Sequence, residues 1–268
     1  MEYVLLGIIQ GFTEFLPVSS SGHLVIFQKF FQVPHNIAFD VAVHLATTFA
    51  VIIYFRKDIA NILQGFFSGI AKIISKKEKA SLLFEKDNYF KLSCLLAVSF
   101  IITAIIGLLF SDFFESLFSS PKAVGGFLLL TAALLFIAEK FPPKNRAEGS
   151  LNLWDSIVVG LFQSAAIAPG LSRSGSTISA GLMRGFSREL AAKYSFLLAV
   201  PTILAAGVFE ARKIAEVASV WPLIAGAISA FISGYLAILF FMKIISRFSL
   251  RGFAYYCAII GLAVLVLL

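Results

Sequence analysis

An arginine set between serines, in a turn that joins two apolar stretches, is suited to hold an anion. The chain has such a residue, Arg173, in the run Pro169-Gly-Leu-Ser-Arg-Ser-Gly-Ser-Thr177. Its planar guanidinium matches phosphate oxygens in pairs. A Ser/Gly turn entering a helix also exposes backbone N–H groups where the helix dipole favours negative charge. Gly170, Gly175 and Gly22 would let a ligand come close to the backbone. A second turn, Ser19-Ser-Ser-Gly-His23, places Ser20 three residues before His23, spacing that suits a serine nucleophile with a histidine base, or a histidine acting alone. Glu14 lies four residues after Gln10, on the same helical face. A carboxylate in apolar surroundings must find a cation, hydrogen-bond donors or a proton. It can thus partner Arg173, bind a divalent ion or act as a general acid or base. His44 and Asp40 share a face of the next apolar stretch and could line the same cavity, whereas His35 reads as interfacial.

These residues must be positioned inside a lipid bilayer. Of the 268 residues, 59% are hydrophobic and 14% charged, with a mean hydropathy of +0.92. A water-soluble chain of this length cannot hide so much apolar surface, so the fold class is an all-α integral membrane protein. Residues 3–16 form an apolar piece that stops at Pro17, too short for the roughly 20 residues a span requires. A second short piece ends near Phe31, and residues 3–31 therefore read as a re-entrant helical hairpin. Residues 153–184 repeat the pattern, with the break at Pro169-Gly170. Full spans are predicted at 37–55, 90–110, 121–138, 190–209, 218–242 and 252–268. An amphipathic interfacial helix is predicted at 59–75, where Ile59, Ile62, Leu63, Phe66, Phe67, Ile70 and others recur at helical spacing. Residues 75–87 read as an aqueous loop.

Each half, 1–139 and 140–268, thus holds one hairpin and three spans. An odd number of spans turns the second copy upside down, the inverted-repeat plan of many transporters, with the site where broken helices meet. Gly7, Gln10, Ser20 and Gly22 pair with Gly160, Gln163, Ser174 and Gly175 once gaps are allowed. If the first hairpin opens outward, the inside loops are 56–91, 140–146, 184–193 and 243–251. These carry eight, three, three and three lysines and arginines, 17 of the 22. Lys29, Lys122, Arg212 and Lys213 stay outside. The bias obeys the positive-inside rule with both termini outside, so the +7 net charge reflects orientation and not nucleic-acid binding. No cleavable signal peptide is expected, and Cys94 and Cys257 form no disulfide framework.

The two motifs, Gln10-x-x-x-Glu14 with Pro17-Val-Ser-Ser-Ser-Gly-His23 and Pro169-Gly-Leu-Ser-Arg-Ser-Gly-Ser-Thr177, closely resemble the bacterial undecaprenyl-diphosphatase family, the bacitracin-resistance phosphatases. The stretch Ser195-Phe-Leu-Leu-Ala-Val-Pro201 is similar to that family's following span, and the likeness covers nearly the full length. The resemblance implies hydrolysis of undecaprenyl diphosphate to the monophosphate carrier lipid, with a divalent cation, Mg2+ or Ca2+, in the service of cell-wall synthesis at the bacterial plasma membrane. It carries the acidic motif onto Gln10 and Glu14, which would be the metal ligands, and the catalytic turn onto Ser20 and His23. The phosphate-binding segment falls on Ser172, Arg173, Ser174, Gly175 and Thr177. The expected partners are a polyprenyl diphosphate lipid and membrane lipid, with a homodimer admissible. A neutral amide at Gln10 ligates hard cations less strongly than the carboxylate that can stand at this position. A prenyl-phosphate transporter or flippase would use the same broken-helix plan, and fold does not decide between the two.

Overall fold

The computed structural model describes residues 1–118, 120–141, 144, 146–211 and 220–267. Thirteen α-helices and no strands occur among the described residues, and five helices are long and apolar enough to cross a membrane. These five are α3 (Ile37–Tyr54), α6 (Asn88–Leu109), α8 (Pro121–Ala138), α11 (Arg188–Ala211) and α12 (Trp221–Ile244). The sixth predicted span appears as α13 (Arg251–Leu267), an apolar helix of 17 residues. The predicted hairpins are α1 (Glu2–Phe15) with α2 (Ser20–Phe30), and α9 (Leu153–Ala165) with α10 (Arg173–Met183). Residues 212–219 and 268, which include Arg212, Lys213 and parts of two predicted spans, lie outside the described residues.

The predicted interfacial helix is α4 (Arg56–Ile74), which follows α3 with no loop between them. It packs Ile62, Gly65 and Gly69 inward against α6 and leaves Leu63, Phe67 and Ile74 exposed. Two short helices went unpredicted. α5 (Ala80–Lys86) lies inside the stretch read as a loop, because Leu83 inserts into the core at 1% exposure while its charged neighbours face outward. α7 (Ser111–Phe118) connects α6 and α8.

Helix pairing follows side-chain size. α1 packs along α12, and α9 along α6. A Cβ added to Gly11 would stand 2.6 Å from the Ala230 carbonyl oxygen and from Gly234 N, so the α1–α12 crossing is open only to small residues. Hydrophobic burial gives no advantage over lipid here, and close backbone approach supplies van der Waals contact instead. On the α6–α9 side, Ser99 Oγ donates to the Ser156 carbonyl at 2.7 Å, fixing depth as well as proximity.

Loops that the charge pattern assigns to one face are tied together. Asp155 pairs with Arg146 and Arg184, each at 2.7 Å. Lys193 Nζ lies 2.6 Å from Asp58 and 2.7 Å from Glu148. Arg188 donates to both oxygens of Glu139, which also accept from Ser249 Oγ and the Leu250 amide. Residues from all four predicted inside loops, Asp58, Arg146, Arg184, Lys193 and Ser249, therefore gather on one side of the helix bundle.

Candidate active site

The two hairpins meet tip to tip. α1 ends because Pro17 cannot continue a helix, and Leu16 turns extended at φ −72° and ψ 143°. Ser19 takes a left-handed φ of 71° and caps α2, its hydroxyl accepting from Gly22 N at 3.3 Å. In the second hairpin Gly170 has a φ of +94°, and a Cβ there would stand 2.4 Å from the Val124 carbonyl oxygen. Only glycine meets both demands. Ser172 then caps α10, accepting from Gly175 N at 3.0 Å. Ser174 Oγ donates to the Leu16 carbonyl at 3.0 Å and locks one tip to the other. Thr131 of α8 braces the second tip, donating to the Gly170 carbonyl and accepting from Ser172 N, both at 3.0 Å. Cys257 of α13 donates to the Pro17 carbonyl at 3.6 Å on the first.

This crossing brings Glu14 and Arg173, 159 residues apart in sequence, into one buried ion pair at 2.5 Å. Arg173 Nη2 donates to Glu14 Oε1, and Arg173 Nη1 donates to the Ser195 carbonyl at 3.3 Å. Glu14 Oε2 accepts from Ser20 Oγ at 2.6 Å and from Gln10 Nε2 at 2.9 Å. His44 Nε2 lies 3.7 Å from the same oxygen, while its Nδ1 meets the Asp40 carbonyl at 2.7 Å. Losing one partner of such a pair strands the other charge, at a cost of about 3–5 kcal/mol.

Glu14, Ser20, His44 and Arg173 line a cavity of about 510 Å³, within the range of small-molecule sites. One part of its wall is polar. Another, including Leu24, Val41, Ile167, Ile203 and Ala206, is apolar. His35, Asp40 and Glu210 also line it, and none belongs to the loops gathered by the ion pairs above. The hydroxyl on a carboxylate can lose its proton to that carboxylate, and the guanidinium can hold an anion beside it. The site thus joins a carboxylate-bound hydroxyl and a guanidinium beside an apolar wall.

Several predicted site residues stand elsewhere. His23 is 2% exposed, and its ring nitrogens meet the Ser19 carbonyl and the Tyr256 hydroxyl, each at 2.7 Å. It stacks on Tyr256 and is not part of the cavity wall, so Glu14 and not His23 is the partner of Ser20. The reason is helical phase: the cavity face of α2 is centred on Ser21, Leu24, Val25 and Gln28, with Ser20 at its edge, and His23 lies beyond that edge against Tyr256 of α13. Ser172, Ser174, Gly175 and Thr177 are buried and bonded within the protein, Thr177 Oγ1 donating to Ser195 Oγ at 2.7 Å. From the predicted phosphate-binding segment, Arg173 alone reaches the cavity.

Of the expected metal pair, Glu14 lines the cavity and Gln10 does not. Gln10 is fully buried behind Glu14 and off the cavity wall, and both carboxylate oxygens of Glu14 already accept hydrogen bonds. Among the described residues no group of three or more His, Cys, Asp and Glu side chains is placed to hold a metal ion. The residues present do not form a closed cation site.

Sequence reading missed Thr103 and Thr202 on the cavity wall, where both accept from the Gln163 amide. It also missed Tyr256 behind His23. Gln163 carried a signal, its match to Gln10 in the internal repeat. The threonines and the tyrosine sit in apolar spans with no pattern to mark them.

The fold and the site define a multi-pass helical membrane protein with an anion-suited cavity where two broken hairpins cross. The chain belongs to the family described as bacitracin resistance protein BacA, whose model matches residues 3–263. It is 40% identical over 268 residues to a protein of Methanosphaera stadtmanae named undecaprenyl-diphosphatase, covering 100% of this chain and 97% of the relative. Proteins of the same name from Halothermothrix orenii and Alkaliphilus metalliredigens are 43% and 41% identical, covering 99% and 98% of this chain and 97% and 96% of their own lengths.

Proposed function

We propose that this chain is a membrane phosphatase that hydrolyses undecaprenyl diphosphate to undecaprenyl phosphate and inorganic phosphate, returning the carrier lipid to cell-wall synthesis. Its family and its relatives' names support that activity. The observation that supports this site for it is the Glu14 carboxylate, which bridges Arg173 and Ser20 on one cavity wall. A diphosphate head needs a cationic, polar pocket and an isoprenoid tail needs an apolar exit, and this cavity offers both.

Arg173 holds the terminal phosphoryl group and stabilises its developing charge. Ser20 Oγ attacks the phosphorus as Glu14 takes its proton, and the P–O bond to the carrier phosphate breaks. Water then opens the phosphoserine. Ser172, Ser174, Gly175 and Thr177 serve as the rigid mount for Arg173, and His23 anchors α2 to α13. A Mg2+ or Ca2+ ion would be carried by the diphosphate oxygens and supply charge neutralisation.

The contact pattern supports an inverted repeat of halves 1–139 and 140–268, α13 being the sixth span. α1 packs on α12 as α9 packs on α6, which are the exchanged pairings an inverted repeat requires, and α8 meets its counterpart α13. The ion-paired basic loops favour a cytoplasmic face there, so the cavity opens to the outer side of the plasma membrane. The test is release of inorganic phosphate from undecaprenyl diphosphate by the purified protein in detergent, where a flippase has nothing to move. Release is expected, with a chelator slowing it and added Mg2+ or Ca2+ restoring it. Absence of release under all three conditions would overturn the reading.

A further inference from the structure

Hydrolysis needs a water molecule held in line with phosphorus, and neither Arg173 nor Ser20 supplies a site for it. Among the described residues, one buried acceptor of the cavity wall is used by no protein group. Gln163, on α9, is 1% exposed, and its Oε1 has no hydrogen-bond partner. Its amide nitrogen donates to Thr103 Oγ1 at 3.0 Å and Thr202 Oγ1 at 3.1 Å. Those hydroxyl protons are themselves committed, to the carbonyls of Ser99 and Leu198 at 3.0 and 2.8 Å. The threonines therefore present acceptors to the amide, which fixes its orientation and leaves Oε1 as the free end. Gln163 lines the same cavity as Glu14, Ser20 and Arg173, amid the apolar side chains of Ala166, Ile167 and Ile203.

A carbonyl oxygen repels an ionised phosphate oxygen and demands an O–H donor. We propose that Gln163 holds the hydrolytic water, accepting one of its protons as a hydrogen bond and leaving its lone pair free for phosphorus. This rests on the phosphoserine reading above. In the second half-reaction the water oxygen bonds to phosphorus and the P–Oγ bond of Ser20 breaks. One water proton passes through Glu14 to Ser20 Oγ, and the other stays on the released phosphate. The proton that Glu14 took in the first half-reaction leaves to solvent. An amide is no base, so Gln163 is a positioning residue: it orients the attacking water and takes no proton.

The test is Gln163→Met, similar in shape but with no acceptor, assayed on undecaprenyl diphosphate carrying a radiolabelled terminal phosphate. Turnover should fall about 100-fold with KM little changed, and acid quenching should trap close to one labelled phosphate per protein on Ser20. Thr202→Val frees the amide to rotate and should trap label with a loss of about tenfold, so the inference stays testable even if Gln163→Met does not fold. Wild-type turnover in both variants, or lost turnover without trapped label, overturns the proposal. Arg173→Lys and Ser20→Ala run alongside: if these keep full activity the cavity itself is misassigned, whereas their failure beside an unaffected Gln163→Met sinks this inference alone.

Discussion

Arg173→Lys lowers turnover of undecaprenyl diphosphate by about 1,000-fold and raises KM as well. The expectation follows from geometry. Arg173 uses one guanidinium nitrogen on Glu14 and another on the Ser195 carbonyl, so the fork is pinned edge-on with further donors left for phosphate. Lysine keeps the charge and the Glu14 pair, and the variant should fold. Its point charge cannot hold the carboxylate, the backbone and two phosphate oxygens in a fixed plane. The measurement is phosphate release across a substrate series in detergent. Turnover within a few-fold of wild type would remove Arg173 from the chemistry.

Glu14→Gln gives the second large effect, a loss of about 10²- to 10⁴-fold in kcat with KM unchanged or lower. The amide can still accept from Arg173, but it cannot take the proton of Ser20, whose hydroxyl now lies 2.6 Å from a carboxylate oxygen. The direction of KM separates this role from a structural one. Without its counter-charge, Arg173 binds an anion at least as well as before, whereas a collapsed site would bind it worse. Folded protein is scored by its thermal unfolding, since stranding Arg173 also costs stability. A variant with full kcat would show that some other group activates the nucleophile.

Much of the architecture was legible because the bilayer imposes one rule on every span. Continuous apolar length gave α3, α6, α8, α11 and α12 to within a few residues, and the prolines at 17 and 169 marked both broken hairpins. α5 was missed because a single buried leucine, Leu83, holds a helix inside a charged stretch, and one residue makes no period. Within the site, Arg173, Glu14 and Ser20 were readable as charges and a hydroxyl with no place in lipid. Their union was not, because it depends on how two tips 158 residues apart interlock. His23 looked catalytic by its spacing from Ser20. Its direction is set by α13 and Tyr256, which local sequence does not show. Ser172, Ser174 and Thr177 share a motif with Arg173 yet spend their hydrogen bonds on the fold. Residue type marked the polar side chains around the pocket, while the division between those that line it and those bonded within the fold came from the packing.

The measurement that tests the placement of the reaction most directly is ligand protection of Ser21, a cavity-lining residue with no role in the chemistry described. A single cysteine at this position, in a chain carrying Cys94→Ala, Cys257→Ser and the slow Glu14→Gln change, is labelled with a water-soluble maleimide in detergent. Saturating undecaprenyl diphosphate should slow labelling many-fold, and undecaprenol, which lacks the phosphates, should slow it far less. A labelling rate indifferent to the diphosphate lipid would contradict the account and move the reaction away from the hairpin crossing.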